Sequence, residues 1–369
     1  MNDVWGVVLA AGLGTRLRPA TFHCPKPLIP VAGVEPLFFA LWKAYELGIR
    51  NFAVNTFHLP GQIISAVSEF ELLLKGSRIR VISESPEILG TGGALENIFR
   101  KIFVEENNPL SGVLVQNGDT LSQFLLNELL SNPAISTLAV SHRNDHLKKY
   151  NPMYLDENHR FLGVGADYLI KSFRAVHFLG SYFISKSDVQ ILREQLPKAQ
   201  RVTDLYSACF YPLQKIQRSP KAIEVFQSSD SDSDEKFWFD MTNAEYLLDA
   251  QQFLLKKISQ NSLWHRVLSA RYPNGKLNSN GSFVSVKNSR FDLKIQNSVF
   301  INESNLPVEV DGNFEMNHSS MVIKEATSLE RSQFPKAFSN CSMLYQQRGS
   351  STTDMNECKD SVMVCGDSL

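Results

Sequence analysis

Short apolar runs alternate with segments of helical apolar spacing along the first 141 residues. The runs predict strands at 4–10, 52–56, 79–83, 113–116 and 138–141, and the intervening segments predict helices at 36–47, 61–74, 93–102 and 124–130. Strands that alternate with helices in this way favour a mostly parallel sheet covered by helices on both faces. We therefore expect an α/β fold with a doubly wound, Rossmann-like sheet.

Two of the predicted strands end in polar, glycine-containing sequence. The first runs into residues 10–16, AAGLGTR, and the fourth runs into residues 117–119, NGD. Open parallel sheets bind ligands beyond the carboxyl ends of their strands. The sequence therefore predicts a binding site at this edge of the sheet.

The 369-residue chain is long enough for more than one domain. We expect a catalytic domain at 1–255, a small β-rich domain at 256–330 and a mobile tail at 331–369, where apolar residues are sparse. Ile295 and Ile301 are six residues apart, which favours a short, degenerate left-handed β-helix in the second segment, with a plain hairpin extension as the alternative. The acidic, serine-rich stretch 228–236 is typical of a solvated loop, although cation binding or phosphorylation stays open.

Composition excludes several classes of partner. The net charge is -1 and no basic stripe is present, so we expect no nucleic-acid binding. No apolar run approaches the 18 residues that a membrane helix needs, and the start of the chain lacks the features of a signal peptide. The five cysteines are scattered without a CxxC pair, which favours reduced thiols in the cytoplasm and argues against zinc. A homo-oligomer stays open.

The first glycine loop has the chemistry of a phosphate-binding loop. Gly12 and Gly14 allow close backbone approach, and successive N–H groups in such a loop form an anion site. Arg16 adds a planar donor fork, and Lys26 follows between two prolines. A P-loop would need Gly-Lys-Ser/Thr, and the dinucleotide fingerprint would need a third glycine where Leu17 stands. A triphosphate is the ligand that this loop fits.

The whole string from 9 to 33, LAAGLGTRLRPATFHCPKPLIPVAG, resembles the signature of the sugar-1-phosphate nucleotidyltransferases, GxGxRLxPxT followed by PKPLxPVxG. The resemblance extends over roughly 1–255 and is greatest to guanylyl- and uridylyltransferases acting on hexose, heptose or N-acetylmuramic acid 1-phosphates. It implies synthesis of a nucleotide sugar for cell-envelope polysaccharide from a nucleoside triphosphate and a sugar 1-phosphate, with Mg²⁺ as cofactor. It also implies catalytic roles for Arg16 and Lys26, and nucleotide contacts from Ala10, Ala11, Gly12, Gly14 and Thr15.

The resemblance further implies two metal-binding aspartates. Asp119 follows Gly118, which opens the backbone toward the nucleotide; a helix N-cap is the alternative role for Asp119. Asp240 lies in FWFDMTNAE, which is similar to the family's W-x-D-[IV]-G-T-x-E-[DE] segment, although Thr242 replaces the usual glycine. Mg²⁺ commonly binds one or two carboxylates together with substrate oxygens and water. Thr242 and Glu245 also predict a capping box for the helix that follows.

The segment 83–94, SESPEILGTGGA, resembles the family's base-binding loop, so Glu84, Gly90 and Thr91 are predicted nucleotide contacts. A carboxylate at Glu84 matches the adjacent N1–H and N2–H₂ donors of guanine, whereas uracil offers one such donor. GTP is therefore favoured over UTP.

The strand 178–182, FLGSY, resembles the family segment whose glycine faces the sugar, which predicts sugar-phosphate contacts from Gly180 and from Lys171. The flanking residues of Lys171 depart from the family pattern, and simple strand packing is the alternative for Gly180.

A different class of function stays open, namely a catalytically inactive subunit that senses nucleotides or acts as a scaffold. The joint presence of Arg16, Lys26, Asp119 and Asp240 favours the enzyme.

Overall fold

The computed structural model describes residues 4–124, 126–165, 173–227, 230–232, 236–279, 282–286, 294–296, 299–302, 315–317, 320–324, 337–339, 341–346 and 361–365. The chain divides into two compact units. Unit 1 consists of Met1–Gly12 and Ala40–Trp238, and unit 2 consists of Leu13–Phe39 and Phe239–Leu369. In the described part of the chain, no helix combines the length and the apolar run needed to cross a membrane.

The elements up to the eighth helix are β1 Val4–Leu9, α1 Pro36–Glu46, β2 Asn51–Thr56, α2 Pro60–Leu73, β3 Arg78–Ser83, α3 Gly90–Phe99, β4 Gly112–Asn117, β5 Thr120–Gln123, α4 Leu126–Leu129, β6 Thr137–Ser141, α5 Asn144–Lys149, β7 Met153–Leu155, β8 Phe161–Val164, β9 Arg174–Ile184, α6 Lys186–Glu194, α7 Tyr211–Lys215, β10 Lys221–Phe226, β11 Phe237–Asp240 and α8 Ala244–Lys256. The remaining elements are α9 Leu263–Arg271, β12 Lys276–Leu277, β13 Phe283–Val286, β14 Lys294–Gln296, β15 Val299–Asn302, β16 Glu315–Asn317, β17 Ser320–Lys324, β18 Ala337–Ser339, β19 Cys341–Gln346 and β20 Ser361–Cys365.

Unit 1 is built on a mixed sheet with the strand order β10-β6-β9-β4-β1-β2-β3. The pairs β4–β1, β1–β2 and β2–β3 are parallel, as is β10–β6, while β9 is antiparallel to both β4 and β6. Strands β1 to β4 alternate with helices along the chain, which confirms the predicted α/β class and its mostly parallel sheet.

The sheet of unit 1 buries one face against α3, α6 and α7. Val7 and Val115 are fully buried on this face, where they belong to one apolar cluster with Phe99 of α3 and Phe210 just before α7. Complete burial of an aliphatic or aromatic side chain of this size contributes about 1.5–3 kcal/mol to stability. This core fixes the strand ends from which the site loops leave.

A second buried cluster in unit 1 combines histidine with aromatic rings. His146 and His177 lie 5.0 and 5.1 Å from Trp238, ring centre to ring centre, and Tyr150 stacks on His177 at 4.3 Å. Within the described residues, neither ring nitrogen of His177 has a hydrogen-bond partner. Burial lowers the pKa of His146 to about 4 and the pKa of His177 to about 3. Both rings are therefore neutral in the folded protein at pH 7.

Acid should destabilise the protein through this cluster. Because the folded pKa values lie below the ordinary value near 6.5, the unfolded state binds more protons as the pH falls from about 6.5 toward 4. The free energy of unfolding should fall in that window, and His177→Phe should flatten the fall. Urea unfolding between pH 4 and 8 measures this, with the exposed His23→Gln as control. An unchanged pH dependence in His177→Phe would contradict the assignment.

In unit 2, residues 32–35, where the signature string ends, are hydrogen-bonded to α9 and to Tyr272, which follows α9. The indole Nε1–H of Trp264 donates to the Ala32 carbonyl at 3.0 Å, and the Tyr272 hydroxyl donates to the Gly33 carbonyl at 2.8 Å. Arg271 binds Glu35 through two hydrogen bonds of 2.9 and 3.0 Å, and these two side chains are 1% and 2% exposed. Helix α9 thus helps to fix the end of the signature string.

Helix α9 lies within the segment 256–330, which the sequence predicts to be a small β-rich domain. Ser262 is its N-cap, and the Ser262 hydroxyl accepts a hydrogen bond from the His265 N–H at 3.2 Å. Trp264, Val267 and Leu268 recur at helical spacing and are buried. The helical spacing of these apolar residues is visible in the sequence. It is short, however, and a longer stretch with strand-like sequence follows it.

Beyond α9 the described backbone forms parallel ladders. One runs β13-β15-β17-β19, in which Val299 pairs with Ser320 and Ser320 pairs with Ser342. The other runs β14-β16-β18. Strands β18, β19 and β20 fall within 331–369, so these described residues are paired strands where the sequence predicts a mobile tail. Sparse apolar residues were enough for pairing because a ladder is held by backbone hydrogen bonds.

Removing one partner of the Arg271–Glu35 pair should be costly. Arg271→Leu leaves the Glu35 carboxylate buried without its ion pair, and should lower the free energy of unfolding by about 3–5 kcal/mol. Urea denaturation measures the loss, and Glu35→Leu combined with Arg271→Leu should recover much of it because no lone charge is left buried. A loss below about 1 kcal/mol in Arg271→Leu would show that the pair is not a structural clamp.

Candidate nucleotide-binding site

The carboxyl ends of three strands lie side by side at one edge of unit 1. Leu9 at the end of β1 is opposite Asn55 of β2 on one side and Asn117 of β4 on the other. The Gly118 N–H donates to the Leu9 carbonyl at 2.9 Å, and a Cβ on Gly118 would lie 2.8 Å from that same oxygen. The predicted contacts Ala10, Ala11 and Gly118 therefore share this edge, and Gly118 is required by close backbone approach.

Buried hydrogen bonds connect the ends of β1, β2 and β3. Asn55 Oδ1 accepts from the Ala10 N–H at 2.6 Å, and Asn55 Nδ2 donates to Glu84 Oε1 at 2.6 Å. Glu84 Oε2 accepts from the Leu89 N–H at 2.6 Å. Glu84 is 4% exposed, and burial raises its pKa.

These contacts give Glu84 a structural role that the sequence did not predict. Each of its carboxylate oxygens accepts one hydrogen bond from a buried protein group. The side chain is almost fully buried and holds the turn at Leu89.

A segment that sequence reasoning missed packs on the predicted base-binding loop. The N–H groups of Gly92 and Gly93 donate to the Thr203 carbonyl at 3.0 and 3.2 Å, and the Thr203 N–H donates to the Leu89 carbonyl at 3.0 Å. A Cβ on Gly92 would overlap the Asp204 carbonyl oxygen. The glycines of this loop therefore admit a neighbouring backbone segment. Thr91 remains exposed beside them.

Side chains anchor the same segment to α3. Arg201 binds the Glu96 carboxylate through hydrogen bonds of 3.1 and 2.5 Å, and Gln200 Nε2 donates to Asn97 Oδ1 at 2.7 Å. The half-buried Gly90 has a positive φ of 71°, and a Cβ there would lie 2.8 Å from the Thr203 oxygen. The start of α3 is thus fixed from outside by 200–204.

Asp119 lies in the two-residue turn between β4 and β5 and is half-buried. This position differs from the helix N-cap that was the alternative for Asp119. The next strand is tethered by Lys43 of α1, whose Nζ donates to the Ser122 carbonyl at 2.5 Å and lies 4.8 Å from the centre of the Phe124 ring. Burial lowers the pKa of Lys43 to about 7.

Gly180 lies on β9 with a positive φ of 74°, and a Cβ there would overlap the Asn117 side-chain amide. Its lack of a side chain accommodates Asn117, next to the turn that carries Asp119. Lys171, the other predicted sugar-phosphate contact, lies outside the described residues, as do 228–229 and 233–235 of the predicted acidic loop.

In unit 2 the second part of the glycine loop forms a single 3₁₀ turn, Thr15–Leu17. Gly14 precedes this turn with φ 61°, and its carbonyl accepts from the Leu17 N–H and from the Thr21 hydroxyl, each at 2.9 Å. The turn leaves Thr15 and Arg16 exposed. The Arg16 side chain is therefore accessible to a ligand that approaches from solvent.

Unit 2 also brings together two predicted site residues that are far apart in sequence. Lys26 Nζ lies 3.8 Å from Asp240 Oδ1, and these side chains are 12% and 20% exposed. The Thr242 hydroxyl donates to Asp240 Oδ2. A lysine in this position can contact a phosphate, and the neighbouring carboxylate can bind a metal ion.

The capping box predicted from Thr242 and Glu245 is wrong. Asn243 is the N-cap of α8, and its side-chain oxygen accepts from the Tyr246 N–H at 2.9 Å. Thr242 is drawn away because its hydroxyl bonds to Asp240. The residue that replaces the family glycine thus orients the predicted metal ligand.

Over the described residues, no group of three or more His, Cys, Asp or Glu side chains is placed to hold a metal ion by itself. A magnesium ion would therefore need ligand oxygens from bound phosphates or water, which is how Mg²⁺ is commonly held.

Residues 5–141 match the sequence model of the family described as Nucleotidyl transferase. The match covers the N-terminal part of the chain, a little over a third of its length. The matched region holds β2 to β6 and nearly all of β1, and includes Gly12, Glu84, Gly90 and Asp119.

Curated relatives of this chain are named as sugar-phosphate enzymes. A mannose-1-phosphate guanylyltransferase of Mycobacterium tuberculosis is 35% identical over 37% of this chain and 37% of its own length. Mannose-1-phosphate guanylyltransferase 1 of Arabidopsis thaliana is 25% identical over 54% of this chain and 57% of its own length. The matched region thus spans between about a third and somewhat over half of such relatives.

Solved structures share the fold at low sequence identity. A protein assigned as a glucose-1-phosphate thymidylyltransferase, from Bacillus anthracis, has a TM-score of 0.52 and 17% identity, covering 68% of this chain and 94% of its own. An inositol-1-phosphate CTP transferase from T. maritima has a TM-score of 0.50 and 18% identity, covering 72% and 95%. These likenesses support the α/β nucleotidyl transferase fold.

Substitution of Gly92 should disturb the site through packing. Gly92→Ala places a Cβ against the Asp204 carbonyl and 2.7 Å from the Ala208 Cβ, so segment 200–204 must move. We expect a lower melting temperature and weaker nucleotide binding. Gly61→Ala is the matched control, because Gly61 lies in α2 with nothing within 4 Å of its added Cβ. If both variants behave alike, the contact between 200–204 and α3 does not support the site.

Proposed function

We propose that this protein transfers a nucleoside monophosphate from a nucleoside triphosphate to a sugar 1-phosphate and releases pyrophosphate. The observation that carries the proposal is the approach of Lys26 to Asp240, 3.8 Å between Nζ and Oδ1, within unit 2. The signature lysine and the carboxylate of the FWFD segment are far apart in sequence, and core packing alone gives no reason for both to be polar here. The family match of residues 5–141 supports the same reaction class.

The chemistry needs positive charge more than it needs a general base. A phosphate oxygen of the sugar 1-phosphate attacks the α-phosphorus, and the bond from that phosphorus to the pyrophosphate oxygen breaks. The attacking group is already an anion, so the step depends on positioning and charge stabilisation. In this proposal Arg16 binds the leaving pyrophosphate through its planar fork, and Lys26 binds the α-phosphate.

Asp119 and Asp240 are the residues that would hold Mg²⁺. Each is only partly buried and carries hard carboxylate oxygens, which is the donor type that Mg²⁺ prefers. Asp240 is oriented by the Thr242 hydroxyl, which bonds one of its two oxygens. The ion would supply charge neutralisation on the phosphate oxygens.

The nucleotide and sugar are proposed from the names of the relatives. Mannose-1-phosphate guanylyltransferases are 35% and 25% identical to this chain over the matched regions. We therefore favour GTP over UTP and a hexose 1-phosphate as acceptor. Base contacts would come from the exposed Thr91 and from Gly90, since Glu84 is engaged within the protein.

The parallel ladders of unit 2 support a short, degenerate left-handed β-helix at the C-terminus. Ile295 pairs with Met316 on one ladder, and Phe300 pairs with Met321 on the other. Such coils commonly pack on another surface, so we propose a homo-oligomer, which light scattering can test. A cytoplasmic location fits the buried free thiols of Cys24 and Cys209.

Pyrophosphate release tests the function directly. The full-length protein would be assayed with four nucleoside triphosphates against mannose, glucose, heptose and N-acetylmuramic acid 1-phosphates. The proposal expects release that requires both substrates, with the highest kcat/KM for GTP. Nucleotide binding without turnover for any pair would instead favour the sensing or scaffold alternative.

Asp119→Ala should reduce turnover by at least about 100-fold, the scale on which loss of one charge-stabilising group acts. The matched control is Asp249→Ala, which removes an exposed carboxylate from α8. Turnover is measured by pyrophosphate release with and without a chelator of divalent ions. Near-normal turnover in Asp119→Ala, or full activity in chelator, would contradict the metal assignment.

A further inference from the structure

In unit 1, three buried hydrogen bonds connect the loop that follows β1 with the loop that precedes α3. They run from the Ala10 N–H to Asn55, from Asn55 to Glu84, and from the Leu89 N–H to Glu84, each at 2.6 Å. Ala10 begins the glycine loop after β1, and Leu89 immediately precedes α3. Asn55, Glu84 and Leu89 are 3%, 4% and 1% exposed. Water is therefore kept from all three bonds.

The direction of these bonds is set by the two ends. Both ends are backbone N–H groups, which can only donate. Asn55 must turn its oxygen to Ala10, so its amide nitrogen faces position 84 as a donor. Position 84 must then offer an acceptor to Asn55 and a second acceptor to Leu89. With Asn at 55, a carboxylate at 84 satisfies every bond, whereas a glutamine there leaves one donor facing another.

We infer that Asn55 and Glu84 form a positioning relay that sets the distance between Ala10, where the glycine loop leaves β1, and the start of α3 for the incoming nucleotide. The relay acts on the loops and does not read the base. Its members are positioning residues, because neither Asn55 nor Glu84 is exposed enough to meet a ligand edge as a principal contact. The kinetic test of this inference rests on the proposed function, whereas the test by melting temperature does not.

Relay chemistry predicts a specific pattern of single and double variants. Glu84→Gln alone leaves a donor-to-donor mismatch. Asn55→Asp alone sets two carboxylates face to face, which can be relieved when one carboxyl takes up a proton. The double variant Asn55→Asp with Glu84→Gln satisfies all three bonds again. Its new amide at position 84 can donate to the new carboxylate at position 55, and can still accept from the Leu89 N–H.

The kinetic experiment measures KM for GTP, UTP, ATP and CTP, and separately KM for the sugar 1-phosphate. Each single variant should raise the nucleotide KM on the order of 10-fold, equally for every base that the wild type uses. The KM for the sugar 1-phosphate should stay within about twofold, and the double variant should return toward wild type. Activity of Asn55→Asp should rise as the pH falls, because a shared proton restores the chain. The control is Glu87→Gln, the same exchange at an exposed carboxylate in the same loop.

Two outcomes would overturn the relay. One is a Glu84→Gln variant that changes the ratio of KM values between GTP and UTP, since this would place the carboxylate on the base. The other is a double variant no better than the worse single variant. Melting temperatures without nucleotide test the same cycle: both singles should melt lower, and the double variant should recover. That readout holds even if wild-type protein releases no pyrophosphate, which would reject the proposed function and leave the relay standing.

Discussion

Buried backbone N–H groups just beyond a strand or just before a helix need acceptors that the sheet and the helix do not supply, and in unit 1 Asn55 and Glu84 accept from two such groups. An unpaired buried N–H costs as much as a lost hydrogen bond, so these two side chains are required by the fold itself. The Ala10 and Leu89 amides are the two groups concerned. Two elements of the strand-end edge begin next to these amides: the glycine loop leaves the sheet after Ala10, and α3 begins after Leu89.

The order and class of the elements in residues 4–141 could be predicted because apolar periodicity reports directly on burial. The run at 52–56 predicts β2, and the pattern at 36–47 predicts α1, each within one residue of the observed ends. The sequence pattern places the start of α3 at Gly93, three residues later than the structure does. Glycine disfavours helix in isolation, but Gly92 and Gly93 are helical here because their N–H groups bond to Thr203, a residue distant in sequence.

The sequence predicts which residues form the candidate site better than it predicts which of them contact each other. Lys26 of the signature string and Asp240 of the FWFD segment approach each other in unit 2, a contact that the sequence did not predict. The bonds of Glu84 to Asn55 and Leu89 were not predicted, because strand order brings these neighbours together and the sequence pattern does not state strand order. Segment 200–204 was missed for the same reason. A polar asparagine at the end of an otherwise apolar strand is the local signal that could have found Asn55.

The most direct test of the account is hydrogen–deuterium exchange of the full-length protein with each nucleoside triphosphate and Mg²⁺ in turn. If the strand-end edge binds the nucleotide, at least one of them should protect peptides that cover 10–18 and 117–123. The Leu89 amide should already exchange slowly without ligand, because Glu84 holds it. Protection that maps away from these peptides, or none with any nucleotide at millimolar concentration, would contradict a nucleotide site at this edge.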